Sequence, residues 1–228
     1  MITSNVLGRT LHLQHAAAIA TGVVIDVDDR SYVVTARHFA ETIKDQANIR
    51  FFHDSQWKTL PVELVGHASG EIDISVLAPP VVLCTRAVPL PSDMGGLIYG
   101  QDVYFLGFPY GSFGDVGTLN RGLPLPFVRK AIVACLEHAA SGIHRVYLDG
   151  HNNRGFSGGP VVFKEPRSQL FKVAAIVSGY RYSEEPIYQG DDPLRLSYRE
   201  NTGIVLAYGI QHAVELARGN PIGPRHAV

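Results

Sequence analysis

Two stretches of this chain can do chemistry together: Gly155-Phe156-Ser157-Gly158-Gly159-Pro160 and Thr35-Ala36-Arg37-His38. A serine hydroxyl is a weak nucleophile near neutral pH. It needs a base to take its proton and N–H donors to hold the oxyanion that its attack creates. In Gly-x-Ser-Gly-Gly, the two residues after the serine carry no side chain to obstruct it. Gly155, two positions before it, can adopt a backbone conformation that turns N–H groups inward. His38 is the candidate base. Asp73 lies between them in the apolar run Ile72-Asp73-Ile74-Ser75-Val76-Leu77, so the chain order is His, Asp, Ser. An aspartate is unfavourable in a strand and costly to bury alone. A histidine N–H donating to it offsets that cost and fixes the tautomer a base needs. The bland alternative for Asp73 is an edge-strand carboxylate in solvent. Asp26 and Asp45 are the other acids that could fill the role.

Other readings of the same residues are weaker. Gly-x-Ser-x-Gly also marks a strand–serine–helix elbow, which requires a helix after the serine and then an acid and a histidine. Here Pro160 and the strand-like Val161-Val162-Phe163 follow instead. The downstream groups are Asp191, Asp192 and His212. His12 and His15 have i, i+3 spacing but no third ligand near them, so no metal site is marked.

The elements that must position these residues are short, β-branched and bounded by turn residues. They fall at 22–27, 32–35, 49–52, 62–65, 72–77, 102–108, 132–136, 146–148, 160–163, 173–178 and 203–207. That spacing predicts an all-β sandwich or barrel rather than alternating strands and helices. Val23–Val27 and Ser31–Val34 flank a turn and read as a hairpin. One helical turn is expected over 36–41, carrying His38, and a C-terminal helix over 210–218, stopped by Gly219. Pro79-Pro80 and Pro89-Leu90-Pro91-Ser92 bracket a linker, which divides the chain into 1–90 and 91–228. The tail from Asn220 reads as loose.

Composition narrows the class. The chain has 228 residues, 46% hydrophobic and 18% charged, so it can build a large core. Formal net charge is −1 and no basic block occurs, so nucleic acid is not an indicated partner. His12, Gln14 and His15 interrupt the only apolar stretch that resembles a signal segment, and no membrane span is read. Cys84 and Cys135 are expected to be buried free thiols. So few cysteines and no signal segment point to a reducing, cytoplasmic location.

The blocks Thr35-Ala36-Arg37-His38, Asp73-Ile74-Ser75-Val76-Leu77 and Gly155-Phe156-Ser157-Gly158-Gly159-Pro160 resemble the three signature blocks of trypsin-like serine peptidases. The low cysteine count is more similar to the bacterial or viral branch. The resemblance implies an all-β fold of two six-stranded antiparallel β-barrels, with a short C-terminal helix. His38 and Asp73 would come from the first barrel and Ser157 from the second. It implies a serine endopeptidase working through an acyl-enzyme, with Ser157 as nucleophile, His38 as base and Asp73 orienting it. The N–H groups of Gly155 and Ser157 would form the oxyanion hole. No cofactor is implied, and the partner is a peptide or protein substrate. The rival is a catalytically silent or partner-activated module that binds or regulates.

Two departures bear on mechanism. Phe156 stands where the animal enzymes have an aspartate that pairs with a freed N-terminus, which argues against activation by cleavage there. Phe39 stands where they have a cysteine. The resemblance places the primary pocket at His151, Asn152, Asn153 and Arg154 and at Val177, Ser178, Gly179 and Tyr180. No carboxylate lies among them, so cleavage after basic residues is expected to be weak. His151 or Arg154 facing inward would favour an acidic or amide side chain. Tyr180 across the mouth would favour a small apolar one. In solvent, His151 and Arg154 would do neither.

Overall fold

The computed structural model describes residues 2–84 and 90–226. Its strands are β1 (Thr10–His15), β2 (Ala18–Val27), β3 (Arg30–Thr35), β4 (Gln46–His53), β5 (Gln56–His67) and β6 (Ser75–Ala78). They continue as β7 (Asp102–Gly107), β8 (Phe127–His138), β9 (His144–Asp149), β10 (Pro160–Lys164), β11 (Phe171–Gln189) and β12 (Asp192–Gly209). The helices are α1 (Ser4–Leu7), α2 (Arg37–Ala40) and α3 (Gln211–Gly219), with short 3-10 turns at Pro109–Gly111 and Gly117–Asn120.

The strands form two closed barrels. The first has the order β1-β2-β3-β6-β5-β4 and closes through Leu13 opposite Phe51. The second has the order β10-β11-β12-β9-β8-β7 and closes through Val161 opposite Phe105. Outer strands alternate as a half-buried strand must: Leu60 and Val62 of β5 are buried while Thr59, Pro61 and Glu63 are exposed.

The continuous apolar runs have a different cause. Val24, Leu11, Leu13 and Val33 fill the first barrel. Phe105, Val133, Leu148 and Phe163 fill the second. Val23 and Ile25 face a third core, the seam between barrels, with Leu106, Val162 and Ile176. So Val23-Val24-Ile25 is apolar at every position because both faces of β2 are covered. Each such side chain contributes about 1.5–3 kcal/mol of burial.

The structure corrects several expectations. Strand β6 begins at Ser75, so Asp73 lies in the loop before it rather than inside a strand. The strand β1 carries His12 and His15, three positions apart in a strand and therefore on opposite faces. Cys84 is buried but Cys135 is exposed on β8. The segment after Asn220 is packed, not loose. His226 Nε2 lies 2.8 Å from Asp26 Oδ1, and the Ser31 N–H donates to Pro224 O at 3.0 Å. Helix α3 packs on the first barrel, with Tyr32 Oη donating to Ala217 O at 3.4 Å. Of the expected linker, Pro89 lies outside the described residues. Pro91 O accepts from the Val173 N–H at 2.8 Å.

Candidate active site

His38 and Asp73 meet because their strands are neighbours. Thr35, the last residue of β3, is opposite Ser75, the first residue of β6. The chain leaves β3 through an extended Ala36 and turns into α2, which carries His38. The His38 backbone N–H donates to Asp73 Oδ1 at 2.8 Å, and its ring Nδ1 lies 2.7 Å from Oδ2. A carboxylate can only accept, so Nδ1 carries the proton and Nε2 keeps its lone pair. The Ser178 hydroxyl donates to the same Oδ2 at 2.6 Å. Burial pushes the Asp73 carboxyl up, but the hydrogen bonds from His38 and Ser178 outweigh it and hold the carboxyl below its usual range. The hydrogen bond to Asp73 raises His38 above its ordinary value, against the opposing effect of burial. Arg37 holds the approach to Asp73. Its Nη1 donates to Ala68 O at 2.9 Å and Gly70 O at 3.1 Å.

Ser157 lies in the turn between β9 and β10. Gly155 has φ +102° and Gly158 φ +83°. A Cβ on Gly155 would run into Phe108 O, and one on Gly158 into Thr21 O. Only glycine fits at either position. Thr21 of the first barrel stitches this turn down. Its Oγ1 donates to Gly155 O at 2.7 Å and its N–H to Ser157 O at 2.9 Å. Its own carbonyl accepts from Thr35 Oγ1 at 2.8 Å. Thr21 and Thr35 are fully buried. Nothing in the motifs marks Thr21. Its only sequence signal is a hydroxyl in a strand that is otherwise apolar apart from Asp26.

The Gly155 and Ser157 N–H groups have no protein acceptor among the described residues. Arg154 O accepts from the Tyr110 N–H at 2.9 Å. In a planar trans peptide this turns the Gly155 N–H to the opposite side. His38, Tyr110, Arg154, Gly155 and Ser157 line one open cleft of about 510 Å³. Within it the Ser157 hydroxyl donates to Ser178 O at 2.9 Å.

The remaining expected residues separate into groups. Arg154 lines the cleft with His38 and Ser157. Asn152 is buried, its Nδ2 donates to Gly179 O at 2.9 Å, and its buried Oδ1 has no hydrogen-bond partner among the described residues. Ser178 and Gly179 therefore connect Asp73, Ser157 and Asn152. His151 and Tyr180 are exposed. Phe156 is fully buried against Phe105, ring centroids 5.0 Å apart. Apolar packing thus anchors the residue before the serine.

The pattern known as the trypsin-like peptidase domain matches residues 20–167, a span that takes in His38, Asp73 and Ser157. The chain belongs to the trypsin-like peptidase domain family. It is by family a trypsin-like serine peptidase, and its two barrels are the fold of its structural neighbours. The HtrA-type protease AlgW with a tripeptide is 18% identical, with a TM-score of 0.60 over 95% of this chain and 61% of that one. A serine-to-alanine variant of AlgW, also with a tripeptide, has a TM-score of 0.60 at 17% identity over 96% of this chain. This chain spans 63% of that variant's length. A serine-to-alanine mutant of Rv3671c from M. tuberculosis H37Rv, in an inactive form, has a TM-score of 0.56 at 15% identity, over 97% of this chain and 91% of that one. At these identities the likeness is one of fold. Among curated proteins, none matches the chain.

Proposed function

We propose that this trypsin-like peptidase hydrolyses peptide bonds of peptide or protein substrates through an acyl-enzyme. Ser157 Oγ attacks the scissile carbonyl while His38 Nε2 takes its proton. The tetrahedral oxyanion is held by the Gly155 and Ser157 N–H groups. His38 then gives the proton to the leaving amine, and water repeats the sequence to free the acid. Asp73 keeps the proton on Nδ1 and stabilises the imidazolium. The observation that carries this reading is the hydrogen-bond chain His38–Asp73–Ser178, with the His38 ring on the cleft that Ser157 also lines. Peptide hydrolysis tests it: Ser157→Ala and His38→Ala should each fall by about 10⁴-fold or more while the chain stays folded. A Ser157→Ala variant that hydrolyses peptides at the native rate would sink it.

One observation favours a second reading, a module switched on by a partner or ligand. The Ser157 hydroxyl donates to Ser178 O, so in this structure its proton is not directed to His38. If the folded chain is inert alone and gains activity on addition of a partner, this second reading holds. For specificity, the lack of a carboxylate in the loop before Ser157 supports weak cleavage after lysine and arginine.

A further inference from the structure

Strands β3, β5 and β6 of the first barrel share one rung at the edge of the site. Thr35 closes β3, His67 closes β5 and Ser75 opens β6, and Ser75 is opposite both of the others. His38 and Asp73 lie just past this rung, in the helical turn after β3 and in the loop before β6. His67 does not line the cleft that His38 and Ser157 share. Its half-buried ring is bonded at both nitrogens all the same. Nε2 lies 2.9 Å from Ile43 O, and Nδ1 lies 2.6 Å from Ser75 Oγ.

A carbonyl oxygen can only accept, so Nε2 of His67 carries the ring proton. In the neutral ring Nδ1 then keeps its lone pair and accepts from the Ser75 hydroxyl. This is the opposite tautomer from His38, whose Nδ1 carries the proton. Each His67 bond ends beside one member of the His38–Asp73 pair. Ile43 follows the helix that carries His38, and its N–H donates to Ala40 O at 2.9 Å. Ser75 follows Asp73 by two positions. Both Ile43 and Ser75 are buried, so neither end of the bridge is free to swing into solvent. The acid loop itself is narrow at its base, where the Ala68 N–H donates to Ile74 O at 2.9 Å. Arg37 holds that loop from Ala68 O and Gly70 O. His67 holds its foot, from the side of the barrel.

We propose that His67 is a positioning residue for the His38–Asp73 pair: it ties the turn after α2 to the foot of the Asp73 loop and so fixes the separation of base and acid. Its effect on rate rests on the peptidase reading; its effect on the His38 ring does not. Asp73 accepts from the His38 backbone N–H, the His38 ring and the Ser178 hydroxyl. Those bonds hold only over a range of about 0.5 Å in donor–acceptor distance. Without the His67 bridge the turn and the loop separate, and His38 samples the Nε2–H tautomer, which has no lone pair facing the serine.

Proton–nitrogen NMR of ring-labelled histidine, at alkaline pH where both rings are neutral, reads which nitrogen carries each proton. The parent chain should show His67 as Nε2–H and His38 as Nδ1–H. His67→Phe keeps an aromatic ring and lacks both nitrogens. In it His38 should become a mixture of tautomers, and kcat should fall about tenfold or more on a peptide substrate with KM unchanged. Ser75→Ala removes one bond and should move both readouts the same way by less. His67→Gln, which can still donate to Ile43 O, should recover part of the loss. A parent His67 protonated on Nδ1 overturns the proposal. So does a His38 tautomer that is unchanged in Ser75→Ala and in folded His67→Phe, whatever happens to the melting temperature. If the chain hydrolyses no peptide yet the His38 tautomer still follows His67, the positioning stands and the peptidase reading falls.

Discussion

The Ser157 hydroxyl donates to the carbonyl oxygen of Ser178 at 2.9 Å, while the Ser178 hydroxyl donates to Asp73 Oδ2 at 2.6 Å. One residue thus holds the proposed nucleophile by its main chain and the proposed acid by its side chain. Attack by Ser157 requires its hydroxyl to leave that carbonyl. Ser178→Ala should keep the fold and lower kcat/KM about tenfold, because a hydrogen bond to a charged group contributes about 1.5–3 kcal/mol. Ser178→Thr, which keeps the hydroxyl, should recover most of the loss. Equal losses in both variants would mean that packing, not the hydrogen bond, matters at this position.

The His38–Asp73 pair fixes a pH profile. His38 must be neutral to act as base, and its pKa is raised above the ordinary 6.5 by the hydrogen bond to Asp73. The acid limb of kcat/KM should therefore have its midpoint above 6.5. Asp73→Asn should move that midpoint down and cost about 10⁴-fold in rate by favouring the wrong tautomer. The stability sign is separate. The raised His38 stabilises the fold fully below its unfolded value, and that contribution is lost as pH rises through the folded one. The lowered Asp73 contributes above 3.8, and that contribution is lost as pH falls through its folded value. A profile whose midpoint is unchanged in Asp73→Asn would contradict the pairing.

Thr21 is the first barrel's grip on the serine turn. Thr21→Val keeps the shape but removes the donor to Gly155 O. It should lower stability by about 1–2 kcal/mol and slow fluorophosphonate labelling by about tenfold or more, because the Gly155 N–H loses its fixed direction. Thermal melting and labelling kinetics measure the two effects. A loss of stability with an unchanged labelling rate would make Thr21 purely structural.

His12 is expected to weaken the fold in acid. It is buried, stacked on Phe108 with centroids 4.4 Å apart, and neither ring nitrogen has a hydrogen-bond partner among the described residues. Burial lowers its pKa from 6.5 to about 4. The unfolded chain therefore binds the proton more tightly, and stability falls as pH drops from 6.5 toward 4, by about 3 kcal/mol once both forms are protonated. His12→Phe should hold stability at neutral pH and flatten this decline in denaturant titrations. A decline as steep as in the parent chain would clear His12 of the effect.

The candidate site was legible in the sequence because glycines cannot be replaced where backbone atoms approach this closely, and because a buried carboxylate needs a partner. Gly155, Ser157, His38 and Asp73 are brought to one place by the strand register and one interbarrel stitch. The apolar runs located the strands but not their ends. Asp73 fell inside an apolar run only because Ile72 and Ile74 both face the interbarrel seam. The ribbon that β11 and β12 form beyond Tyr180 was missed because its apolar residues, Ile187, Leu194 and Leu196 among them, stand exposed among charged and aromatic ones and build no buried face. The packed tail was missed because Pro221, Gly223 and Pro224 read as turn formers, while their contacts with Ser31 and Arg30 lie far off in sequence. Thr21 and Arg37 act through backbone acceptors, which no residue pattern displays.

Activation of Ser157 as a nucleophile is read by intact-mass spectrometry after treatment with a fluorophosphonate, on the parent chain and on Ser157→Ala. The parent should gain the mass of one adduct, mapped to the peptide containing Ser157, and the variant should gain none. Equal labelling of both chains, or no labelling of the folded parent with or without a partner, would contradict it.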